Sequence, residues 1–191
     1  QSGDFGTAEY KNSSIDGISL AAVSMDYPEC VLLEIEEGRF FTQYEANSGR
    51  PVVLIGSLIK DVLFGDMSAI GKEIKVKGAK MEVIGVFKKS GVSIISDGFD
   101  QIAMTNANFG SRLINYSSSD CSLIVKAKEG VPLDQLKMEI VQHYRPIRRV
   151  KPSEENDFAI NKVEMLTAVI DVIFVWVEMG GWFIGLFAIL V

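Results

Sequence analysis

The chain is poor in the residues that build most active sites. It has one histidine, His143, and two cysteines, Cys30 and Cys121. Two cysteines cannot staple a small disulfide scaffold, and with one histidine they cannot complete a Cys/His zinc site. Sequence motifs are equally sparse. No GxxxxGK[ST] or GxGxxG is present to cradle a phosphate, and no HExxH, CxxC or EF-hand loop. Gly56-Ser57 lacks the flanking pattern of a nucleophile elbow. A basic surplus is missing too: the net charge is −6, which argues against non-specific nucleic-acid binding. These absences leave no constellation for catalysis and imply no cofactor or metal.

What is present is an ordinary globular composition with one uneven feature. Over 191 residues, 48% are hydrophobic and 23% charged, enough for one or two folded domains. From Val172 to Val191 the chain carries one charge, Glu178, and twelve Val, Ile, Leu or Phe residues. Twenty residues can cross a bilayer core. Those twelve contribute about −5 kcal/mol to insertion, against about 3 kcal/mol for a carboxylate at mid-membrane. A membrane span is expected, and a buried core helix is the competing reading. Gly181 and Gly185 form a GxxxG pair that can let such helices pack closely. The run is still apolar at Val191 and Gln1–Ser14 carries no apolar signal segment, so a piece of a larger membrane protein is expected.

The rest reads as mixed strand and helix. Gln1–Asp16, rich in Ser, Gly and Asn, reads as a mobile entry. Ile18–Val23 reads as a strand, and Cys30–Ile35 is a second apolar run. Pro51-Val52-Val53-Leu54-Ile55-Gly56 is a short apolar run bounded by turn residues, as in a buried strand. Ser57 is placed to cap a helix carrying Leu58, Ile59, Val62 and Leu63, with Gly65 as its stop. Glu73–Lys77 and Met81–Phe87 predict a hairpin turning at Gly78-Ala79. Gln101–Thr105 reads as a strand, and Asn106–Leu113 as a turn or short helix. Cys121–Lys126 and Phe158–Asn161 read as strands around a helix opened at Val131-Pro132 and ended by Pro146. On that helix Leu133, Leu136, Ile140, Val141 and Tyr144 make one apolar stripe. This strand–helix–strand unit predicts two parallel strands in one sheet, with Leu136 and Ile140 buried. After Asn161, Met165, Leu166, Val169 and Ile170 begin a helix that runs into the apolar segment.

Several residue groups invite a functional reading, each beside a plainer one. Lys75, Lys77, Lys80, Lys88 and Lys89 look like a basic patch, but solvated strand faces explain them. Arg145, Arg148, Arg149 and Lys151 suit the negative end of a helix, with a partner contact as the other reading. His143 lies on the polar side of its helix. Asp97-Gly98-Phe99-Asp100 offers two carboxylates around a turn. Asn12-Ser13-Ser14 and Asn115-Tyr116-Ser117 match the N-glycosylation sequon, a pattern frequent by chance. Cys30 and Cys121 could pair in an oxidising compartment.

An ordered series of short motifs carries a family resemblance. It comprises Glu37-Gly38-Arg39-Phe40-Phe41-Thr42, Pro51–Gly56, Leu63-Phe64-Gly65, Ile70-Gly71-Lys72-Glu73-Ile74 and Val83-Ile84-Gly85-Val86. In this order, ahead of an apolar span, the series resembles the periplasmic core domain of MacB/FtsX-like ABC transporter permeases, over most of Met25–Val191. The resemblance implies an α+β, two-lobed extracytoplasmic domain over 1–171. Its inserted β-rich lobe would cover about 30–104 and its membrane-proximal α/β lobe about 105–162, with 163–191 entering the inner membrane as the second transmembrane helix. The first half of the proximal lobe looks shortened, since few residues precede Ile18. The resemblance further implies a non-catalytic domain that couples a cytoplasmic ATPase to export, lipoprotein extraction or control of cell-wall hydrolases by transmitted motion. Its partners would be that ATPase, a second permease copy, the bilayer and other envelope proteins. A stand-alone membrane-anchored binding module is the alternative, and an enzyme a third reading with no residues behind it.

Overall fold

The structure is a computed structural model that describes residues 5–89, 99–114, 121–151 and 154–161. The chain divides into two compact units, Gln1–Lys126 and Ala127–Val191.

The first unit is a seven-stranded sheet with short helices. In chain order it contains β1 (Phe5–Tyr10), β2 (Ser13–Val23), α1 (Tyr27–Cys30), β3 (Ile35–Gly38), α2 (Gln43–Ser48) and β4 (Val52–Ile55). There follow α3 (Ser57–Phe64), β5 (Glu73–Val76), β6 (Ala79–Phe87), β7 (Ile102–Asn106) and α4 (Ala107–Gly110). The strand order is β3-β6-β4-β7-β2-β1-β5, and β5 also pairs with β6. Those pairings return on themselves, so six strands form a closed ring and β3 extends it along the far half of β6. Closure leaves the six ring strands without an open edge. Among the pairings of the described residues, only β2–β7 and β4–β6 are parallel.

The alternation of side chains along the strands divides the apolar residues between two cores. Ile18 and Leu20 of β2, Val53 and Ile55 of β4, Ile74 and Val76 of β5, and Ala103 of β7 face one cluster, to which α3 adds Ile59, Leu63 and Phe64. Val52, Leu54, Met104 and Phe87 face the other, with Phe41 and Ala46 packed over them. β4 is buried on both faces, which is why Val52–Ile55 shows no polar alternation. In β6 the register slips beside Val53/Leu54. That bulge lets Val83 and Val86, three positions apart, face the same core.

The strand at Pro51–Gly56, the hairpin, the strand at Gln101–Thr105 and the helix stopped at Gly65 are found where the sequence puts them. Other details differ. Gln1–Asp16 was expected as a mobile entry, yet residues 5–16 belong to β1 and β2, joined by a two-residue turn at Lys11-Asn12. The apolar run Cys30–Ile35 is divided, Cys30 ending the α1 helix and Ile35 opening β3. The hairpin turns at Lys77-Gly78, both at positive φ, the signature of a turn matched to strand twist. Gly56 occupies the cap position of α3, and Ser57 is its first residue.

The second unit shows α5 (Leu133–Arg148). Here the strand–helix–strand expectation fails. Neither Cys121–Lys126 nor Phe158–Asn161 is a strand, because neither finds a backbone ladder among the described residues. Leu123 is 75% exposed, so its apolar run is not buried either. Pro146 does not end α5; the helix continues to Arg148 and closes on Arg149 at φ 57. Two bonds make that stop, Arg149 N–H to the Pro146 carbonyl and Val150 N–H to the Arg145 carbonyl, both 3.1 Å. A proline one turn from the end removes one N–H and leaves the terminal turn intact. The predicted stripe is the covered side of α5, but only half-buried, and no residue of the helix is fully buried. Leu136→Ala is therefore expected to cost about 1 kcal/mol, well below the value for a fully buried leucine, and His143→Ala less than about 0.5 kcal/mol. Urea melts of the two variants check that difference.

The apolar segment Val172–Val191, the helix begun at Met165, the GxxxG pair and the second sequon lie outside the described residues. Among the described residues no helix is long and apolar enough to cross a membrane.

Candidate functional site

Two of the motif segments, Glu37–Thr42 and Val83–Val86, meet where β3 pairs with β6. Gly38 sits at φ +81, a conformation that L side chains adopt only under strain. A Cβ there would stand 2.2 Å from the Ile84 carbonyl oxygen. Gly85, opposite, would bring its Cβ within 2.7 Å of the Arg39 carbonyl oxygen. The two glycines let the paired strands approach closely, and Arg39 N–H donates to Ile84 O at 3.0 Å. The chain then turns at Phe40-Phe41 into α2. Thr42 caps α2: its hydroxyl accepts from Glu45 N–H, while the Glu45 carboxylate accepts from Thr42 N–H at 2.8 Å. Arg39 reaches the same carboxylate with two bonds, 2.7 Å and 2.9 Å. This paired fork is the strongest geometry for a guanidinium and a carboxylate.

Glu45 is 4% exposed. The Arg39 hydrogen bonds and the Thr42 cap outweigh its burial and hold the carboxyl down at about 2, from an ordinary 4.5. A carboxylate so low stays charged at physiological pH, which makes the cluster a structural clasp rather than a proton-transfer site. The sign of its pH effect follows. Unfolded, the carboxyl binds a proton more readily, so the clasp's stabilisation is complete above about pH 4.5 and is lost as pH falls toward about 2. Allowing for the half-exposed Arg39, the loss is expected to be about 2 kcal/mol. In denaturation curves taken across that window, Glu45→Gln should be less stable near neutrality and show a shallower acid slope than the parent.

A second junction holds the start of α3. Ser57 Oγ donates to Asp100 Oδ1 at 2.8 Å, and Leu58 N–H donates to the Asp100 carbonyl at 3.1 Å. Gly56 allows this, since a Cβ would lie 2.1 Å from Asp100 O. Asp100 thus serves as a tether; Asp97 and Gly98 lie outside the described residues. Below it, Thr105 Oγ1 donates to Val52 O, and Asn106 bonds both Arg50 O and Phe109 N–H.

The other sequence candidates do not gather. Lys75 pairs with Glu9, Lys80 with Glu73 and Lys88 with Glu34. The Lys77 stem lies over Gly6. Three of the five lysines are thus held in ion pairs along strand faces. Arg148 pairs with Asp157 at 2.8 Å, Arg145 bonds Asn156 and the Glu154 carbonyl, and Lys151 pairs with Glu154. These basic residues hold the chain after α5, where the Phe158 ring also meets Tyr144 edge-on at 5.0 Å. His143 is exposed, Cys30 is half-buried and Cys121 exposed, both as free thiols. Among the described residues no group of three His, Cys, Asp or Glu side chains could hold a metal. The Arg39–Glu45 clasp was not expected, although Thr42-Gln43-Tyr44-Glu45 carries its signal, a capping box.

The glycine-mediated close approaches and the Arg39–Glu45 ion pair of this mixed α+β domain serve packing. The comparisons make the class specific. Residues 1–143 match the model of the MacB-like periplasmic core domain, and the chain belongs to that family. The uncharacterized ABC transporter permease YvrN of Bacillus subtilis (strain 168) is 32% identical over 84 residues, 44% of this chain and 20% of that protein. The macrolide export ATP-binding/permease protein MacB of Neisseria gonorrhoeae is 36% identical over 84 residues, 44% of this chain and 13% of that protein. The chain thus spans a fifth or less of these relatives. Among solved structures, the periplasmic region of MacB from Actinobacillus actinomycetemcomitans shares the fold at a TM-score of 0.68 and 17% identity, covering 88% of this chain and 72% of that one. The extracellular domain of the transporter YknZ from Gram-positive bacteria does so at 0.61 and 23%, covering 78% and 74%.

Proposed function

We propose that this chain is a non-catalytic extracytoplasmic part of an ABC transporter permease, and that it couples a cytoplasmic ATPase to work outside the inner membrane by transmitted motion. The observation that carries the reading is the family match over residues 1–143. The chain itself has no phosphate loop, so ATP would bind to another chain or region. A closed strand ring with a bidentate clasp on the buried Glu45 suits a body that moves as a unit. In this reading residues 1–171 lie outside the membrane, as an inserted β-rich part of about 30–104 and a membrane-proximal part of about 105–162. Residues 163–191 lead into the bilayer as a transmembrane helix, and a second permease copy completes the assembly.

The test uses the complete permease with its ATPase in lipid vesicles. A spin label at Asn12→Cys, at the β1–β2 turn, reports the distance between two copies in a C30S/C121S background. Transmitted motion predicts a distance distribution that differs between ATP-bound and nucleotide-free states, and no difference when the ATPase cannot bind ATP. One distribution under all conditions would overturn the coupling.

A further inference from the structure

Cys30 and Cys121 stand 91 positions apart in sequence, and the fold of the first unit brings their segments together. Cys30 Sγ faces the Ile124 carbonyl oxygen at 3.9 Å, and Lys126 Nζ donates to the Glu29 carbonyl at 3.1 Å. Residues 121–126 thus run beside α1 while entering no strand ladder among the described residues. Cys121 lies three residues from Ile124, about 10 Å of extended chain. A disulfide needs Cα atoms within about 7 Å, so a slide of the segment along α1 by up to three residues brings the thiols together. The slide gives up the two contacts named and breaks no ladder.

We propose that Cys30 and Cys121 form a reversible intramolecular disulfide that fastens residues 121–126 to α1. The oxidant class is a small-molecule disulfide such as oxidised glutathione. One protein thiolate attacks it, forms a mixed disulfide and expels one glutathione thiolate. The second protein thiolate attacks the protein sulfur of that mixed disulfide and expels the other. Two protein thiols are thereby oxidised, one glutathione disulfide is reduced, and the two protons pass to the released thiols. Formation in the cell rests on the extracytoplasmic placement proposed above; formation in vitro does not.

The experiment equilibrates the reduced chain in glutathione redox buffers, in detergent and again in concentrated urea, with acid quenching, alkylation and peptide mapping. The expected result is one Cys30–Cys121 bond whose effective concentration in the folded chain exceeds that in urea by at least about tenfold. Cys121→Ser should leave Cys30 forming only the mixed disulfide. Equal effective concentrations in both solvents, chain-to-chain disulfides alone, or mixed disulfides alone would overturn the proposal. Thiol trapping in intact cells reads the placement separately: a bond that forms in vitro but is reduced in cells faults the extracytoplasmic reading, not the pairing.

Discussion

Gly38→Ala is expected to destabilise the first unit by about 3 kcal/mol or more. Two costs add. The backbone at φ +81 strains any L residue, and the new Cβ has no room beside Ile84 O at 2.2 Å and Gly85 Cα at 2.9 Å. Both neighbours are backbone of β6, so relief requires β3 to move off its partner strand. That movement would also pull Arg39 from Ile84 and disturb the fork to Glu45. Gly17→Ala is the matched control. It shares a positive φ of +75 but has nothing within 4 Å of the built Cβ, so it carries strain alone, about 1 kcal/mol. Urea unfolding of both variants decides the matter. Equal losses would show that the tight β3–β6 contact contributes nothing beyond backbone conformation.

Phe87→Ala carries the other large effect, about 3–5 kcal/mol. Phe87 is fully buried in the second core and its ring lies 5.1 Å from that of Phe99. It also ends β6, where its backbone pairs with Ile35 of β3. Truncation would leave a cavity between the sheet and Phe99, which precedes β7, at a site pinned by the β3–β6 ladder. Tyr44→Ala, at a residue 76% exposed on α2, should change stability by less than about 0.5 kcal/mol. Denaturation midpoints of the pair test whether the second core is tightly packed around Phe87.

The elements legible in the sequence are those whose signal is local. Val52–Ile55 is a continuous apolar run with Pro51 and Gly56 at its ends, and the β5–β6 hairpin alternates charge with apolar residues about a tight turn. β1 and the start of β2 carry no such mark. Ser13, Ser14, Asp16 and Gly17 have low strand propensity, and their extended form comes from pairing with β1 across the Lys11-Asn12 turn, while Ser19–Val23 pair with β7, a partner distant in sequence that local pattern does not reveal. Ring closure is likewise non-local, joining Ala8 to Val76. The reverse error occurs at Cys121–Lys126, where Leu123, Ile124 and Val125 have strand-forming side chains but no ladder partner among the described residues. Of the clasp, Gly38 and Arg39 stood out as motif residues, while the role of Glu45 depended on a fork that only the folded turn at Phe40-Phe41 brings into reach.

Topology is the most direct test of the central claim, that residues 1–171 work outside the inner membrane. Asn12 is exposed at the β1–β2 turn. In the complete permease carrying Asn12→Cys and lacking Cys30 and Cys121, a membrane-impermeant maleimide is added to intact spheroplasts and, separately, to lysed ones. The account predicts full labelling before lysis. Labelling that appears only after lysis would place the domain in the cytoplasm and contradict it.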